Sequence, residues 1–174
     1  MKNDLIDEYH RLRKEADDLF YNNTERLKTD FKNSFNWFFE KHPRVKMVTW
    51  TQYTPYFNDG DECVFSVNEA VFSGDENYRG GIYNLEDEPM VEGYIKEPSK
   101  WHREYYTKKD PNHKFEFDAL PEEQQEANRL LDKDFEALKS MIQYPEDFMK
   151  GMFGDHAQVI VTRKGIEVEE YSHD

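Results

Sequence analysis

The chain of 174 residues lacks features on which several protein classes depend. It contains one cysteine, Cys63, and no apolar run long enough to cross a membrane. A lone cysteine excludes an intramolecular disulfide, and its place in an alternating strand pattern predicts a buried structural thiol. A membrane span needs about 18 consecutive apolar residues. Met1-Lys2-Asn3-Asp4 leads into an amphipathic pattern rather than a signal peptide, so we expect a cytoplasmic protein with no membrane partner.

Basic residues are also scarce. The chain has 23 Lys and Arg against 37 Asp and Glu, which gives a formal net charge of −14. Phosphate backbones and anionic lipids are bound by an excess of Lys and Arg, so this balance argues against non-specific nucleic-acid binding and against anionic membranes. An acidic chain can instead bind a basic protein or imitate nucleic acid, although solubility alone also explains the charge.

Recognisable catalytic and metal motifs are absent. The six histidines include no pair with zinc-ligand spacing, and there is no phosphate-binding loop, dinucleotide fingerprint or nucleophile elbow. Asp59-Gly60-Asp61 matches half of a calcium loop, but Ala70 stands where that loop needs its bidentate acid. We therefore expect no metal and no cofactor.

Large rings are abundant: aromatic residues make up 16% of a chain that is only 37% hydrophobic, and rings fill a core with few residues. The pattern predicts a single α+β domain with an antiparallel sheet of about four or five strands. Its parts are a helical segment (1–42), a β-hairpin region (43–96), a basic and aromatic loop followed by helices (97–153), and a carboxy-terminal hairpin (154–174). The helices form an insertion before that last hairpin.

The amino-terminal segment carries a heptad-like seam whose apolar residues are spaced four, three, four and three apart. The pattern changes phase after Asn22-Asn23-Thr24. A continuous helix with a stutter would extend beyond the domain and favours a symmetric homo-oligomer, whereas a cap at Thr24 would give a bent helical hairpin on the sheet. The seam consists of Leu5, Tyr9, Leu12, Ala16 and Leu19.

A long hairpin is predicted next. The segment 44–56 is rich in Val, Thr, Trp and Tyr, neither of its faces is cleanly polar, and 63–68 alternates again after the turn residues Asn58 to Asp61. It is either simply the central hairpin of the domain or a hairpin with a ligand pocket at its open end. The candidate pocket residues are Gln52, Tyr53, Tyr56, Asn58, Asp59 and Asp61.

The charge pattern reverses at residues 96–114, which hold six basic and three acidic residues, a local balance of +3. Trp101, His102, Tyr105 and Tyr106 are interleaved with the cations. Cations beside ring faces are what a nucleotide requires, since phosphate needs charge and a base needs a stacking surface. A salt-bridged surface loop is the alternative.

The other elements follow from shorter patterns. We predict a turn and strand at 78–83, a short strand at 115–117, a helix from Pro121 to about Gln143 and another helix from Pro145. The last hairpin pairs 158–162 with 166–171 around Arg163-Lys164-Gly165, and its second strand has one wet face.

The run from Trp50 to Asp61, together with 63–68 and Gly154-Asp155-His156, resembles small uncharacterised proteins encoded by bacteriophages. The resemblance covers about a quarter of the chain and carries over no functional residues. It implies a setting, in the host-cell cytoplasm: phage accessory proteins often interfere with host defence, and some sequester nucleotide immune signals as oligomers, with ligands near subunit boundaries.

Together these observations predict a non-enzymatic binding protein that captures a small nucleotide-type ligand, in an anti-defence role. Base stacking is assigned to Trp50, Tyr53, Tyr56 or Trp101, phosphate contacts to Lys100, Arg103 and Arg79, and hydrogen bonds to base or ribose to Gln52, Asn58 and Asp59. Two alternatives stay open. The first is an acidic inhibitor of a host protein, or nucleic-acid mimic, and the second is a small hydrolase that uses Asp59, Asp61 or His156.

Overall fold

A computed structural model describes residues 2–56, 60, 62–78, 91–143 and 146–172. The predicted ligand contacts Asn58, Asp59 and Arg79 and the predicted acid Asp61 lie outside these residues, as does most of the strand predicted at 78–83. The chain divides into two compact units, which meet in sequence between Trp37 and Phe38.

One continuous helix of 40 residues, α1 (Lys2–Lys41), accounts for the amino-terminal segment. The continuous alternative is therefore correct, and the bent hairpin is wrong. In the first unit, the rings of Phe31 and Phe35 lie 5.1 Å apart and are buried, whereas Leu12 and Leu27 are more than half exposed. The symmetric oligomer that a long helix favours stays a prediction.

The second unit is built on an antiparallel sheet of five strands. Its central strand, β1 (Met47–Tyr53), pairs with β2 (Ser66–Val67) and β3 (Val71–Ser73) on one side. On its other side β1 pairs with β4 (Ala157–Thr162), and β4 pairs with β5 (Gly165–Glu170). The α+β prediction with four or five antiparallel strands is confirmed.

Both faces of β1 are covered, as its mixed sequence indicated. Every residue from Met47 to Gln52 is buried. The hairpin partner is shorter than predicted because only Ser66 and Val67 pair with the end of β1. Cys63 precedes the paired residues and is half-buried, so the expectation of a buried thiol is corrected.

The helical insertion consists of α2 (Lys100–Lys109), a 3₁₀ turn (Glu116–Ala119), α3 (Glu122–Ile142) and α4 (Glu146–Phe153). Two predictions were wrong here. The basic loop contains a helix, because Ser99 caps its start and Lys, Arg and Glu favour helix. The short strand at 115–117 is replaced by the 3₁₀ turn.

The apolar stripe predicted as the core face of α3 comprises Ala127, Leu130, Leu131, Phe135, Leu138, Met141 and Ile142, and the prediction was wrong for Ala127 and Leu130, which are exposed. Leu131, Phe135, Leu138 and Ile142 are buried at helical spacing. The Phe135 ring contacts Phe72 of β3, at 4.7 Å between centroids. The ring packs against β3 in this way because its burial removes a large apolar area from water and leaves no polar group without a partner.

The carboxy-terminal hairpin is confirmed, with Arg163 and Lys164 as its two-residue turn. Gly165 follows with a φ of 147°, a conformation that glycine adopts without strain. Strand β4 is mostly buried and β5 is mostly exposed. Across the described residues, none of the helices combines the length and the apolar character that a membrane span requires.

Candidate functional site

The predicted site residues fall into two groups. Trp50, Gln52, Tyr53 and Tyr56 belong to β1 and the residues after it, where their contacts run to α4 and to the start of β4. Lys100, Trp101 and Arg103 belong to α2, where their contacts run to residues 97–118. Both groups belong to the second unit.

Gln52 is fully buried, and its amide is held on three sides. Nε2 donates to the carbonyl oxygens of Met149, at 3.1 Å, and Gly154, at 2.6 Å. Oε1 accepts from Nε1 of Trp50, which is also fully buried, at 3.2 Å. A buried amide with such partners ties the end of β1 to α4. A direct contact of either side chain with a dissolved ligand would require this part of the fold to open.

Asp155 is enclosed by four donors next to Gln52. Its carboxylate accepts from the backbone N–H and the hydroxyl of Thr54, both at 2.7 Å, and from the N–H of His156 at 2.9 Å. Lys150 Nζ lies 2.8 Å away. Burial raises the pKa of Asp155, but the hydrogen bonds from Lys150, Thr54 and His156 outweigh it and hold the pKa well below its usual range.

Four rings contact one another at His156, the next residue after Asp155: those of Tyr53, Tyr56, His156 and Tyr171. We call them, with Asp155 and Lys150, the sheet-end cluster. The His156 ring stacks on Tyr56 at 4.6 Å between centroids and lies 6.4 Å from Tyr53. The Tyr56 ring is 69% exposed, so this end of the sheet presents a stacking surface to solvent.

His156 has a left-handed backbone, with φ of 52°. Such a conformation is uncommon for a residue other than glycine and stores strain. Its Nε2 lies 3.8 Å from Asp155, too far for a hydrogen bond. The acids that the hydrolase alternative adds, Asp59 and Asp61, lie outside the described residues, and that alternative stays a prediction.

The second group lies on α2, a helix with no buried side chain. Trp101 stacks on Tyr105 at 5.2 Å with an interplanar angle of 14°, and Tyr106 stacks on His113 at 5.0 Å with an angle of 17°. Lys109 Nζ lies 4.3 Å above the Tyr105 ring. We call these five residues the α2 face. Its two stacked pairs are parallel rings at the surface, the arrangement that accepts a further planar group.

A groove of about 690 Å³ runs beside the α2 face. Tyr106, His113 and Phe115 supply its rings, and Lys96 and His102 supply nitrogen groups. His102 is oriented at the start of α2, because its Nδ1 lies 2.8 Å from the hydroxyl of the capping Ser99. The volume lies within the range of small-molecule sites. We call this cavity the α2 groove.

One acid, Glu97, also lines the α2 groove. Its carboxylate accepts from Nε and Nη2 of Arg129, at 2.8 and 3.1 Å. These hydrogen bonds lower its pKa and outweigh the opposing effect of burial. Because Arg129 balances Glu97, the acid adds little negative potential against a bound anion.

The predicted phosphate contacts Arg103 and Lys100 are already paired. Arg103 donates to both oxygens of Asp118 at 2.7 Å, and its guanidinium lies 5.0 Å over the Phe115 ring. These hydrogen bonds raise the pKa of Arg103 and lower that of Asp118. Lys100 Nζ lies 3.8 Å from Glu104. A phosphate at Arg103 would therefore compete with a bidentate carboxylate.

Sequence analysis missed His113 and Phe115 as members of a site. The sequence holds a signal for the α2 residues of the site, which is their helical spacing. Residues 101 and 105, and residues 102 and 106, are four apart and share a face once α2 is recognised as a helix. His113 and Phe115 return to that face after the turn at Asp110. No sequence pattern places them there.

Among the residues described, no group of three or more His, Cys, Asp or Glu is arranged to hold a metal ion. Comparisons of the chain with models of protein families, with curated proteins and with solved structures gave no match.

Proposed function

We propose that the protein binds a small nucleotide-type ligand in the α2 groove and releases it unchanged. The observation that carries this proposal is the stacked pair of Tyr106 and His113 beside Phe115 in a cavity of about 690 Å³. Any of the nucleobases can stack on such rings, because every base has a π-face.

Charge supports the same ligand class. Lys96 and His102 line the groove, and the segment 96–114 has a local balance of +3 in a chain of net charge −14. A phosphate is attracted to the groove and repelled by most of the remaining surface, which favours one orientation of the ligand. In this proposal the base lies against Tyr106 and the phosphate near Lys96.

The biological role follows from the resemblance to phage-encoded proteins and is proposed on that ground. The ligand would be a nucleotide signal of host immunity, and the protein would lower its free concentration by sequestration in the host cytoplasm. A homo-oligomer suits this role, because several sites per particle capture more signal. The alternative of an acidic inhibitor of a host protein has no particular contact in its favour.

Native mass spectrometry before and after mixing with mono-, di- and cyclic nucleotides and ADP-ribose derivatives tests the proposal. We expect one member of the panel to bind in stoichiometric amount and to leave unchanged on denaturation. A ligand that leaves chemically altered would show an enzyme. An absence of binding across the panel would contradict the proposal. The same spectra give the number of subunits.

Matched variants locate the site. Tyr106→Ala should weaken binding about tenfold or more, because one stacking contact is lost. Tyr56→Ala is the control, since it removes an exposed tyrosine that also stacks on a histidine, but at the sheet-end cluster. Loss of binding with Tyr56→Ala and retention with Tyr106→Ala would move the site to the sheet end.

A further inference from the structure

The geometry points to a second binding site, in the groove between the end of α1 and the start of α3, that takes an organic oxyanion (a carboxylate or a phosphate) with an apolar body. The groove has a volume of about 510 Å³ and is lined by residues 41–44 and by the first turns of α3. It shares no lining residue with the α2 groove. We call it the α1–α3 groove.

Arg44 provides a positive charge whose hydrogen bonds to described residues go to neutral acceptors. Its Nη2 donates to Oδ1 of Asn128 at 3.0 Å, and its Nη1 donates to the carbonyl of Glu92 at 3.3 Å. Within the described part of the chain, no carboxylate forms an ion pair with it, whereas Arg103 and Arg129 each have one. A half-buried guanidinium held by neutral acceptors keeps its charge for a ligand.

His42 presents a polar atom to the same groove. The side chain is only 8% exposed, and its Nε2 lies 2.8 Å from Oδ2 of Asp134, which also receives Nζ of Lys41 at 2.7 Å. No described residue forms a hydrogen bond with Nδ1 of His42, and the His42 side chain lines the groove. A buried ring fixed through one nitrogen therefore offers its other nitrogen to a ligand in the groove.

The Asp134 carboxylate stays ionised and neutralises Lys41. Burial raises its pKa, but the hydrogen bonds from Lys41 and His42 prevail and lower it. Arg44 is then the lining cation that has no carboxylate partner among the described residues, and the exposed Glu123 is an acid of the same lining. Because Glu123 is exposed, its carboxylate can turn to solvent when an anion binds, at the cost of some repulsion.

The start of α3 adds a weaker attraction. Pro121 occupies the capping position and contributes no side-chain hydrogen bond to the helix. The first backbone N–H groups of a helix carry partial positive charge, which favours an anion nearby. This feature is secondary, because the contacts of Arg44 and His42 define the site.

Apart from Gln124, the remaining lining is apolar and determines the rest of the ligand. Pro43, Ala127 and Leu130 line the groove, and Leu130 is 40% exposed. A free inorganic anion would leave this apolar surface exposed to water. A short alkyl chain attached to the oxyanion would cover it and add the free energy of apolar burial.

Nuclear magnetic resonance titration of the wild-type protein with hexanoate and hexyl phosphate tests the inference directly. We expect saturable shifts of the His42 imidazole signals with at least one anion, and none with uncharged hexanamide. If both anions bind, their relative affinity distinguishes a carboxylate ligand from a phosphate ligand. If neither anion moves the His42 signals up to about 10 mM, where even weak sites fill, the inference is overturned.

Two substitutions at exposed positions should change the affinity for the anion in opposite directions. Leu130→Glu places a negative charge in the groove and should weaken binding about tenfold, whereas Glu123→Gln removes one and should tighten binding about threefold. Leu27→Glu is the matched control, because it makes the same change at a leucine of similar exposure in the first unit. Unchanged affinity in Leu130→Glu would contradict the inference even if the probes bind.

Arg44→Gln should weaken binding about tenfold through loss of the charged donor. This change also removes the bond to Asn128, so its folding has to be checked by circular dichroism. If Arg44→Gln unfolds, the affinities of Leu130→Glu and Glu123→Gln still test the inference. Nucleotide binding in the α2 groove should be unaffected by Leu130→Glu, which separates this inference from the proposed function.

Discussion

The sheet-end cluster and the α2 face are built from the same kinds of side chain and use them differently. Both combine tyrosines, a histidine and a lysine, and both contain a stacked tyrosine–histidine pair, at 4.6 Å for Tyr56 and His156 and at 5.0 Å for Tyr106 and His113. In the sheet-end cluster, the carboxylate of Asp155 is held by four donors from the fold. On α2, no side chain is buried.

The difference arises from where each element lies. β1 is the central strand of the sheet, so polar side chains along it are buried and must find partners within the fold. α2 lies at the surface, where water satisfies its polar groups. The same inventory of residues therefore stabilises the fold in one region and remains accessible in the other. Substitutions should separate the two regions by their effects on stability.

The largest loss of stability is expected from Gln52→Leu. Leucine has a similar volume but cannot donate to the carbonyls of Met149 and Gly154 or accept from Trp50. Buried polar groups left unpaired cost about 1–3 kcal/mol each when they find no water. We expect the free energy of unfolding to fall by about 3 kcal/mol, measured by urea denaturation.

Gln158→Leu is the control for this prediction. Gln158 is half-buried on β4 and makes one long bond, 3.4 Å to Thr49 Oγ1. Its loss should cost less than about 1 kcal/mol. Equal effects of the two substitutions would contradict the structural role of Gln52 and restore it as a candidate ligand contact.

Asp155→Asn should have the next largest effect and should change the response to acid. The pKa of Asp155 is lower in the folded protein than in the unfolded chain, so its ionised form stabilises the fold. This contribution is present above the unfolded value of about 3.9 and is lost as the pH falls through the folded pKa. We expect Asp155→Asn to cost about 2 kcal/mol at neutral pH.

Denaturation of the wild type and the variant across a pH series measures this difference. The difference in the free energy of unfolding between the wild type and Asp155→Asn should narrow steadily below about pH 4. It narrows because protonation of Asp155 removes the same stabilisation that the substitution removes. Asp118→Asn provides a control in the 3₁₀ turn, because this carboxylate, which pairs with Arg103 of α2, is half exposed and its contribution is screened by solvent. A gap that stays constant down to about pH 2 would contradict the assigned pKa.

The backbone of His156 gives a smaller, more selective prediction. Because its φ is 52°, alanine at this position keeps the left-handed strain, whereas glycine relieves it. Both substitutions remove the ring that stacks on Tyr56. We expect His156→Gly to be more stable than His156→Ala by about 1 kcal/mol in thermal or urea denaturation. The reverse order would show that the backbone is not left-handed in solution.

Local patterns predicted much of the fold. The mixed faces of β1 indicated that both are covered, and the stripe from Ala127 to Ile142 indicated the core face of α3 from Leu131 onward, although Ala127 and Leu130 are exposed. The carboxy-terminal hairpin was predicted from alternation around Arg163 and Lys164. These features depend on neighbours in sequence, where period and turn chemistry are informative.

The rest depends on partners far apart in the chain. The Gln52 amide donates hydrogen bonds to Met149 and Gly154, which are 97 and 102 residues away in sequence. No local sequence pattern indicates these partners. The prediction of a loop around Trp101 was wrong, because helix propensity and the capping Ser99 determine the local structure there despite the high charge density. Sequence therefore predicted which residues are chemically capable but not which of them the fold leaves accessible.

The smallest effect is expected for the pair of Arg103 and Asp118 on the α2 side. Its geometry is bidentate, with both bonds at 2.7 Å, yet the side chains are 32% and 50% exposed. Solvent screens such a pair, so a double-mutant cycle with Arg103→Gln and Asp118→Asn should give a coupling of about 0.5 kcal/mol that declines in high salt. A coupling above about 2 kcal/mol would mean that the pair is enclosed like Asp155. A small coupling would mean that the Arg103 guanidinium can leave Asp118 at little cost to the fold, whereas the Asp155 carboxylate cannot leave its donors so cheaply.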